Sequence, residues 1–223
     1  MMGPFRPLDR PVEVGPLRIG DGSLTVIAGP CAIESEDLCL SVADQLVSIC
    51  SDLGLPYIFK SSFDKANRTS LSGVRGLGLD ASLPIFVEMR ETYGCPVLTD
   101  VHSEAQCGAV APAVDVLQIP AFLCRQTDLV VAAAETGRPL NIKKGQWMTP
   151  EEMLGAVEKT REAGAPSVAV TERGTFFGYG DLIVDMRSFQ RIREACGVPV
   201  IFDGTHSLQR PGLISGSSGG APE

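Results

Sequence analysis

The densest chemistry in the chain lies in Phe59-Lys60-Ser61-Ser62-Phe63-Asp64-Lys65-Ala66-Asn67-Arg68-Thr69-Ser70. An aromatic and β-branched run, Tyr57-Ile58-Phe59, gives way there to lysines, an arginine, an asparagine and hydroxyls. That is the pattern of a buried strand opening into a polar loop. Long cations among Ser, Thr and Asn donors suit an anionic, hydroxylated ligand such as a sugar phosphate. The pattern recurs in Lys143-Lys144-Gly145-Gln146 and in Thr171-Glu172-Arg173-Gly174, each after another apolar run. Four of the five lysines, Lys60, Lys65, Lys143 and Lys144, fall at or just after strand ends. Their placement predicts a cationic pocket inside an acidic protein. Lys143 and Arg173 converging would suit one phosphate, and Lys60 with Lys65 a carboxylate.

Three further strand ends carry metal-ligating or acid–base residue types: Gly29-Pro30-Cys31, Thr99-Asp100-Val101-His102 and Asp203-Gly204-Thr205-His206. A lone cysteine is more often a packing residue, and Cys39, Cys50, Cys107 and Cys196 in helical patterns read that way. Cys31 and His206, at the first and last strand ends, could meet as soft and borderline metal ligands. Both histidines of the chain occupy the same place in a strand–helix unit, which a purely structural role would not require.

The elements that must position these residues alternate strand, polar loop and amphipathic helix. Strands are expected at 24–28, 57–60, 97–100, 116–119, 140–143, 168–171 and 198–202. Helices are expected at 36–53, 79–93, 105–111, 127–136, 150–163 and 185–196. Helices end at Gly94, Gly137 and Gly197 shortly before a proline. Thr149-Pro150-Glu151-Glu152 reads as a cap with Pro at the first helical position and acids in the first turn. Continuous apolar strands joined by helices imply a parallel sheet with functional residues at the strands' C-terminal ends. No glycine-rich dinucleotide fingerprint follows the first strand. The expectation is an α/β single domain over residues 1–223, a TIM (β/α)8 barrel. Residues 11–22 form a hairpin closing its other end, 24–206 form units one to seven, and 207–223 an incomplete loop after strand seven.

Seven units leave a closed barrel one short. The tail Ser215-Gly216-Ser217-Ser218-Gly219-Gly220 reads either as a linker or as an interrupted glycine-rich loop. The sequence is therefore expected to stop before an eighth unit, and the chain by itself not to sustain catalysis.

Net charge −8 argues against nucleic acid or an anionic membrane as partner. No apolar run is long enough to span a bilayer, and the first ten residues lack a signal peptide's apolar core. Seven cysteines without ribbon or CxxC spacing fit a reducing cytoplasm.

The segments GPCAIES, FKSSFDKANRTS, TDVH, QIPAFLCRQTDL, IKKGQ, TERGTFFGY and FDGTHS resemble the 3-deoxy-D-manno-octulosonate 8-phosphate synthase family, from about Leu24 to Gly220. The resemblance implies a cytoplasmic, tetrameric enzyme of lipopolysaccharide biosynthesis. It would condense phosphoenolpyruvate with arabinose 5-phosphate and water. By motif, Lys60, Ser62, Lys65, Gln118, Ala121, Lys143, Gln146 and Arg173 would bind phosphoenolpyruvate. Asn67, Arg68, Ser70 and Phe122 would contact arabinose 5-phosphate, with Arg125 reaching in from a neighbouring subunit. Lys65, Asp100 and His102 would be catalytic. Cysteine at position 31 resembles the metal-dependent class and implies a divalent cation on Cys31 and His206. Two further ligands, a glutamate and an aspartate, are implied in the eighth unit. The alternatives are a related DAHP-type synthase acting on erythrose 4-phosphate, or an inactive fragment that keeps only phosphoenolpyruvate binding.

Overall fold

A computed structural model describes residues 11–66, 73, 75–177 and 180–210, together with the backbone of 219–220. A hairpin of β1 (Val12–Val14) and β2 (Leu17–Ile19) comes first. Seven parallel strands follow: β3 (Val26–Ala28), β4 (Tyr57–Lys60), β5 (Val97–Asp100), β6 (Val116–Ile119), β7 (Leu140–Lys143), β8 (Val168–Glu172) and, after a small two-stranded ribbon of β9 (Thr175–Phe176) and β10 (Leu182–Ile183), β11 (Val200–Phe202). Their order is β11-β8-β7-β6-β5-β4-β3, so each strand lies beside its predecessor among the seven. The helices between them are α1 (Glu36–Asp52), α2 (Leu79–Tyr93), α3 (Glu104–Val110), α4 (Thr127–Glu135), α5 (Leu154–Glu162) and α6 (Arg187–Cys196).

Local chemistry sets these boundaries. At α1 the Ser35 hydroxyl accepts from the Leu38 amide at 3.2 Å, while Glu36 and Asp37 occupy the positive end of the helix dipole. Ser103 and Gln106 form a reciprocal capping box at α3. Thr149 and Glu152 do the same through Thr149 N to Glu152 Oε2 at 2.7 Å and Glu152 N to Thr149 Oγ1 at 3.4 Å. The turn they start is a 3-10 helix, Glu151–Met153, and α5 proper begins only at Leu154. Gly94 and Gly197, at φ 64° and 63°, end α2 and α6 in the left-handed conformation. The first and last expected strands are shorter than their apolar runs, beginning at Val26 and Val200.

Strand residues alternate between two packed faces. Outward-facing Phe59, Val97, Leu117, Ile119, Leu140, Ile142 and Val170 join the larger core beneath the helices. Inward-facing Ile27, Ile58, Leu98, Val116, Ala169 and Ile201 form a second cluster with Val12, Val14, Leu17 and Ile19 of the hairpin. The hairpin thus plugs the N-terminal end of the barrel interior. The next inward residues toward the C-terminal ends are Lys60, Asp100, Gln118, Asn141, Lys143 and Thr171, a polar layer resting on an apolar floor.

The sheet curls. β3 and β11 stand at opposite ends of its strand order, yet Cys31 Sγ after the one lies 4.0 Å from His206 Nε2 after the other. The architecture is seven βα units of a (β/α)8 barrel with an N-terminal hairpin. Among the described residues, β3 and β11 each pair with one strand only. No helix described is long and apolar enough to cross a membrane.

Candidate active site

The loop after β3 is held against the loop after β4. Ser61 Oγ donates to Pro30 O at 2.7 Å, Ile33 N donates to Ser62 O at 2.9 Å, and Ala32 bridges Ser62 in parallel. A Cβ on Gly29 would lie 2.1 Å from Lys60 O, so only glycine allows this approach. The result presents Cys31, Lys60, Ser62 and Lys65 on one rim. Lys65 Nζ donates to Ser62 Oγ at 2.6 Å, and Lys60 and Lys65 both act electrostatically on Cys31 and on Asp100.

Asp100 ends β5 and is 7% exposed. Burial alone would raise its pKa. The His102 hydrogen bond, Nε2 to Oδ2 at 3.1 Å, outweighs burial together with Lys60 and Lys65 and holds the carboxyl well below the usual range. His102 in turn packs edge-on against Phe63, with ring centroids 5.4 Å apart.

Across the interior, Thr171 Oγ1 donates to Asn141 Oδ1 at 2.7 Å, and Asn141 Nδ2 donates to Gln118 Oε1 at 3.0 Å. This ladder engages the Gln118 carbonyl oxygen, so its NH2 is the end available to a ligand. Lys143 donates to Asp203 Oδ2. Burial, the main cause, pushes the Lys143 ammonium down to about 8, with Lys60 and Arg173 adding to it and Asp203 opposing. Arg173, 3% exposed, donates through Nη2 to His206 O at 2.9 Å and Gln209 Oε1 at 2.6 Å. Lys60, Lys143 and Arg173 therefore share one end of the barrel interior.

Lys144 does not join them. As the next residue along, it faces the opposite side of the sheet, where it is fully buried. It donates to Thr175 Oγ1 at 3.0 Å and Met148 O at 3.2 Å, and pairs with Glu172 Oε2 at 3.6 Å. The cationic pocket drawn from four lysines thus holds three. Lys144 instead ties the β9–β10 ribbon to the loop after β7.

Of six buried side-chain polar atoms without a partner among the described residues, three belong to residues of this site. They are Asp100 Oδ1, His102 Nδ1 and Arg173 Nη1. Buried polar atoms are normally paired, and such a cluster points to a ligand.

His206 is oriented by Asp203, which accepts from its Nδ1 at 2.8 Å and its backbone amide at 2.9 Å. Nε2 is left facing Cys31. The His206 contact, helped by Lys65 and outweighing desolvation, draws the Cys31 thiol down to about 6. Tetrahedral zinc with S and N ligands separates them by about 3.5 Å, close to the 4.0 Å seen. The pair fits two corners of a metal shell, although no group of three or more such ligands occurs among the described residues.

Ala121 is buried at the start of a 3-10 turn, Ala121–Leu123. Phe122 and Arg125 beyond it are exposed, and Phe122 stacks on Trp147 with centroids 5.9 Å apart. Asn67, Arg68 and Ser70 lie outside the described residues. Asp203 and Thr171 stand in the strand-end motifs of the sequence without a role of their own, and Asn141 in none. Asp203 was signalled by an acid three residues before a candidate ligand histidine, and Asn141 by its parity with Lys143.

A family model described as the DAHP synthetase I family matches residues 9–218. The 2-dehydro-3-deoxyphosphooctonate aldolase of Rhizobium meliloti (strain 1021) is 56% identical over 200 residues, covering 90% of this chain and 71% of the relative. The protein of that name from Methylobacterium radiotolerans is 55% identical over 214 residues, 95% of this chain and 75% of the relative. That of Cyanothece sp. is 54% identical over 214 residues, with 95% and 78% covered.

Proposed function

The chain belongs to the DAHP synthetase I family, and we propose that within it the protein forms 3-deoxy-D-manno-octulosonate 8-phosphate from phosphoenolpyruvate, arabinose 5-phosphate and water. The observation that carries this reading is the grouping of Lys60, Lys65, Lys143 and Arg173 with the unpartnered buried atoms of Asp100, His102 and Arg173. It is supported by identities of 52–56% to relatives named for a phosphorylated deoxyoctulosonate.

In this reading Lys143 and Arg173 hold the phosphoenolpyruvate phosphate. Lys60, Ser62, Lys65 and the Gln118 NH2 take the carboxylate, with Ala121 and Gln146 lining the site. Carbon 3 of phosphoenolpyruvate bonds to the aldehyde carbon, water adds at carbon 2, and phosphate leaves from carbon 2. Asp100, kept ionised, and His102 orient water and the aldehyde; Lys65 stands close enough to Asp100 to supply positive charge to the aldehyde oxygen. Asn67, Arg68, Ser70 and Phe122 contact the sugar phosphate. The exposure of Phe122, Trp147 and Arg125 supports a homotetramer in which Arg125 completes a neighbour's site. Cys31 and His206 would hold a divalent cation, which when bound supplies Lewis-acid polarisation. The setting is cytoplasmic lipopolysaccharide synthesis.

Incubation with phosphoenolpyruvate, a divalent cation and either arabinose 5-phosphate or erythrose 4-phosphate tests this. An eight-carbon keto acid phosphate, formed with equimolar phosphate, is expected from the first sugar. A seven-carbon product from the second alone would move the assignment to the DAHP-type reaction.

A further inference from the structure

We propose that Asp203 is a positioning residue at the junction of two subsites: it fixes the ring of His206 for metal binding and holds the Lys143 ammonium in the phosphate subsite until an anion displaces it. This rests on the site reading above. One Asp203 oxygen, Oδ2, accepts from His206 Nδ1 at 2.8 Å and from the Lys143 ammonium, while Oδ1 accepts from the His206 amide at 2.9 Å. The carboxylate sits just past β11, between a strand-end lysine of β7 and the 3-10 turn His206–Leu208. Its backbone amide is itself held by Glu172 O at 2.9 Å, so it is fixed from both sides.

The geometry has two consequences. A hydrogen bond from Nδ1 places a ring proton there and makes Nε2, the ring atom that faces Cys31, the one that can bond a metal. The same carboxylate competes with an incoming phosphate for Lys143. Removing its charge while keeping its shape should therefore harm metal binding and spare, or improve, metal-free anion binding. An aspartate needed only for folding would weaken both together.

The test uses Asp203→Asn, Co2+ as the metal probe and phosphoenolpyruvate as the anion, each titrated calorimetrically against the full chain, the anion at about pH 6, well below the Lys143 value of about 8, so that lost support for the ammonium is not read as a lost site. We expect the Co2+ Kd to rise 10-fold or more, with the metal-free phosphoenolpyruvate Kd unchanged or lower. Unchanged Co2+ affinity, or equal weakening of both ligands, would overturn the proposal. The wild-type protein provides an independent check that survives misfolding of the variant. With only two histidines in the chain, long-range 15N correlation spectra resolve every ring nitrogen. His206 protonated at Nδ1 in its neutral form supports the proposal, and protonation at Nε2 sinks it. If wild type binds neither probe, the site reading falls and takes this inference with it; if it binds both and Asp203→Asn matches it, this inference alone fails.

Discussion

Lys143 sets the upper pH limit of the site. Its ammonium, pushed down to about 8 chiefly by burial, attracts an anion only while protonated. Phosphoenolpyruvate binding should therefore be strong below pH 8 and weaken as pH rises through it. Cys31 deprotonates lower, near 6, so the two steps separate. Lys143→Met should bind weakly at pH 7 and show no further loss between pH 7.5 and 9.5, measured by calorimetry. A variant that retained the decline would assign it to another group. Lys143 and Arg173 were legible in the sequence because long cations at the ends of apolar runs are unusual. Lys144 does not belong with them because strand alternation turns it to the side opposite Lys143, a distinction that clustering of charge along the chain does not draw. Asn141 lies in the middle of an apolar run, and its amide gains meaning only in the fold, where it donates to Gln118 and accepts from Thr171.

At the scale of elements, the strands that carry the site were readable because each is a short apolar run ending in polar residues. Thr149-Pro150 marked a helical start, although the first turn is 3-10 and α5 proper begins at Leu154. The β9–β10 ribbon was not readable, since two-residue strands carry no periodicity. Two element-level tests follow from the packing. Gly29→Ala would drive a Cβ to 2.1 Å from Lys60 O and force the loop after β3 away from β4. The cost should be about 1–3 kcal/mol, with Co2+ and phosphoenolpyruvate affinity falling together; wild-type melting and binding would refute this close approach. Asn141→Leu would strand Gln118 Oε1 and Thr171 Oγ1 inside the barrel. Each orphan costs about 1–3 kcal/mol, so chemical denaturation should show a clear loss of stability. A neutral result would mean the ladder is dispensable.

For the molecule as a whole, the parallel α/β class and the hairpin plug followed from the sequence, because alternation of strand and helix leaves few topologies. The closeness of the two outer strand ends followed from the barrel reading, in which Cys31 and His206 could meet, and the two side chains lie 4.0 Å apart. Central β6 and β7 are bonded on both sides, whereas β3 and β11 are bonded on one side among the described residues. Hydrogen exchange should therefore be slowest at Leu117 and Ile142 and markedly faster in β11. Equal protection across all seven strands would show that further structure covers both edges.

The central claim is that cations from separate strands meet as one anion site within an acidic molecule. Titrating phosphoenolpyruvate into wild type and Arg173→Ala at pH 7 tests it most directly. Arg173 Nη1 is buried without a partner among the described residues, and a charge-assisted hydrogen bond contributes about 1.5–3 kcal/mol. The account predicts one site per chain in wild type and a Kd raised roughly 10- to 150-fold in Arg173→Ala. Equal affinity in the two proteins, or no binding to wild type, would contradict it.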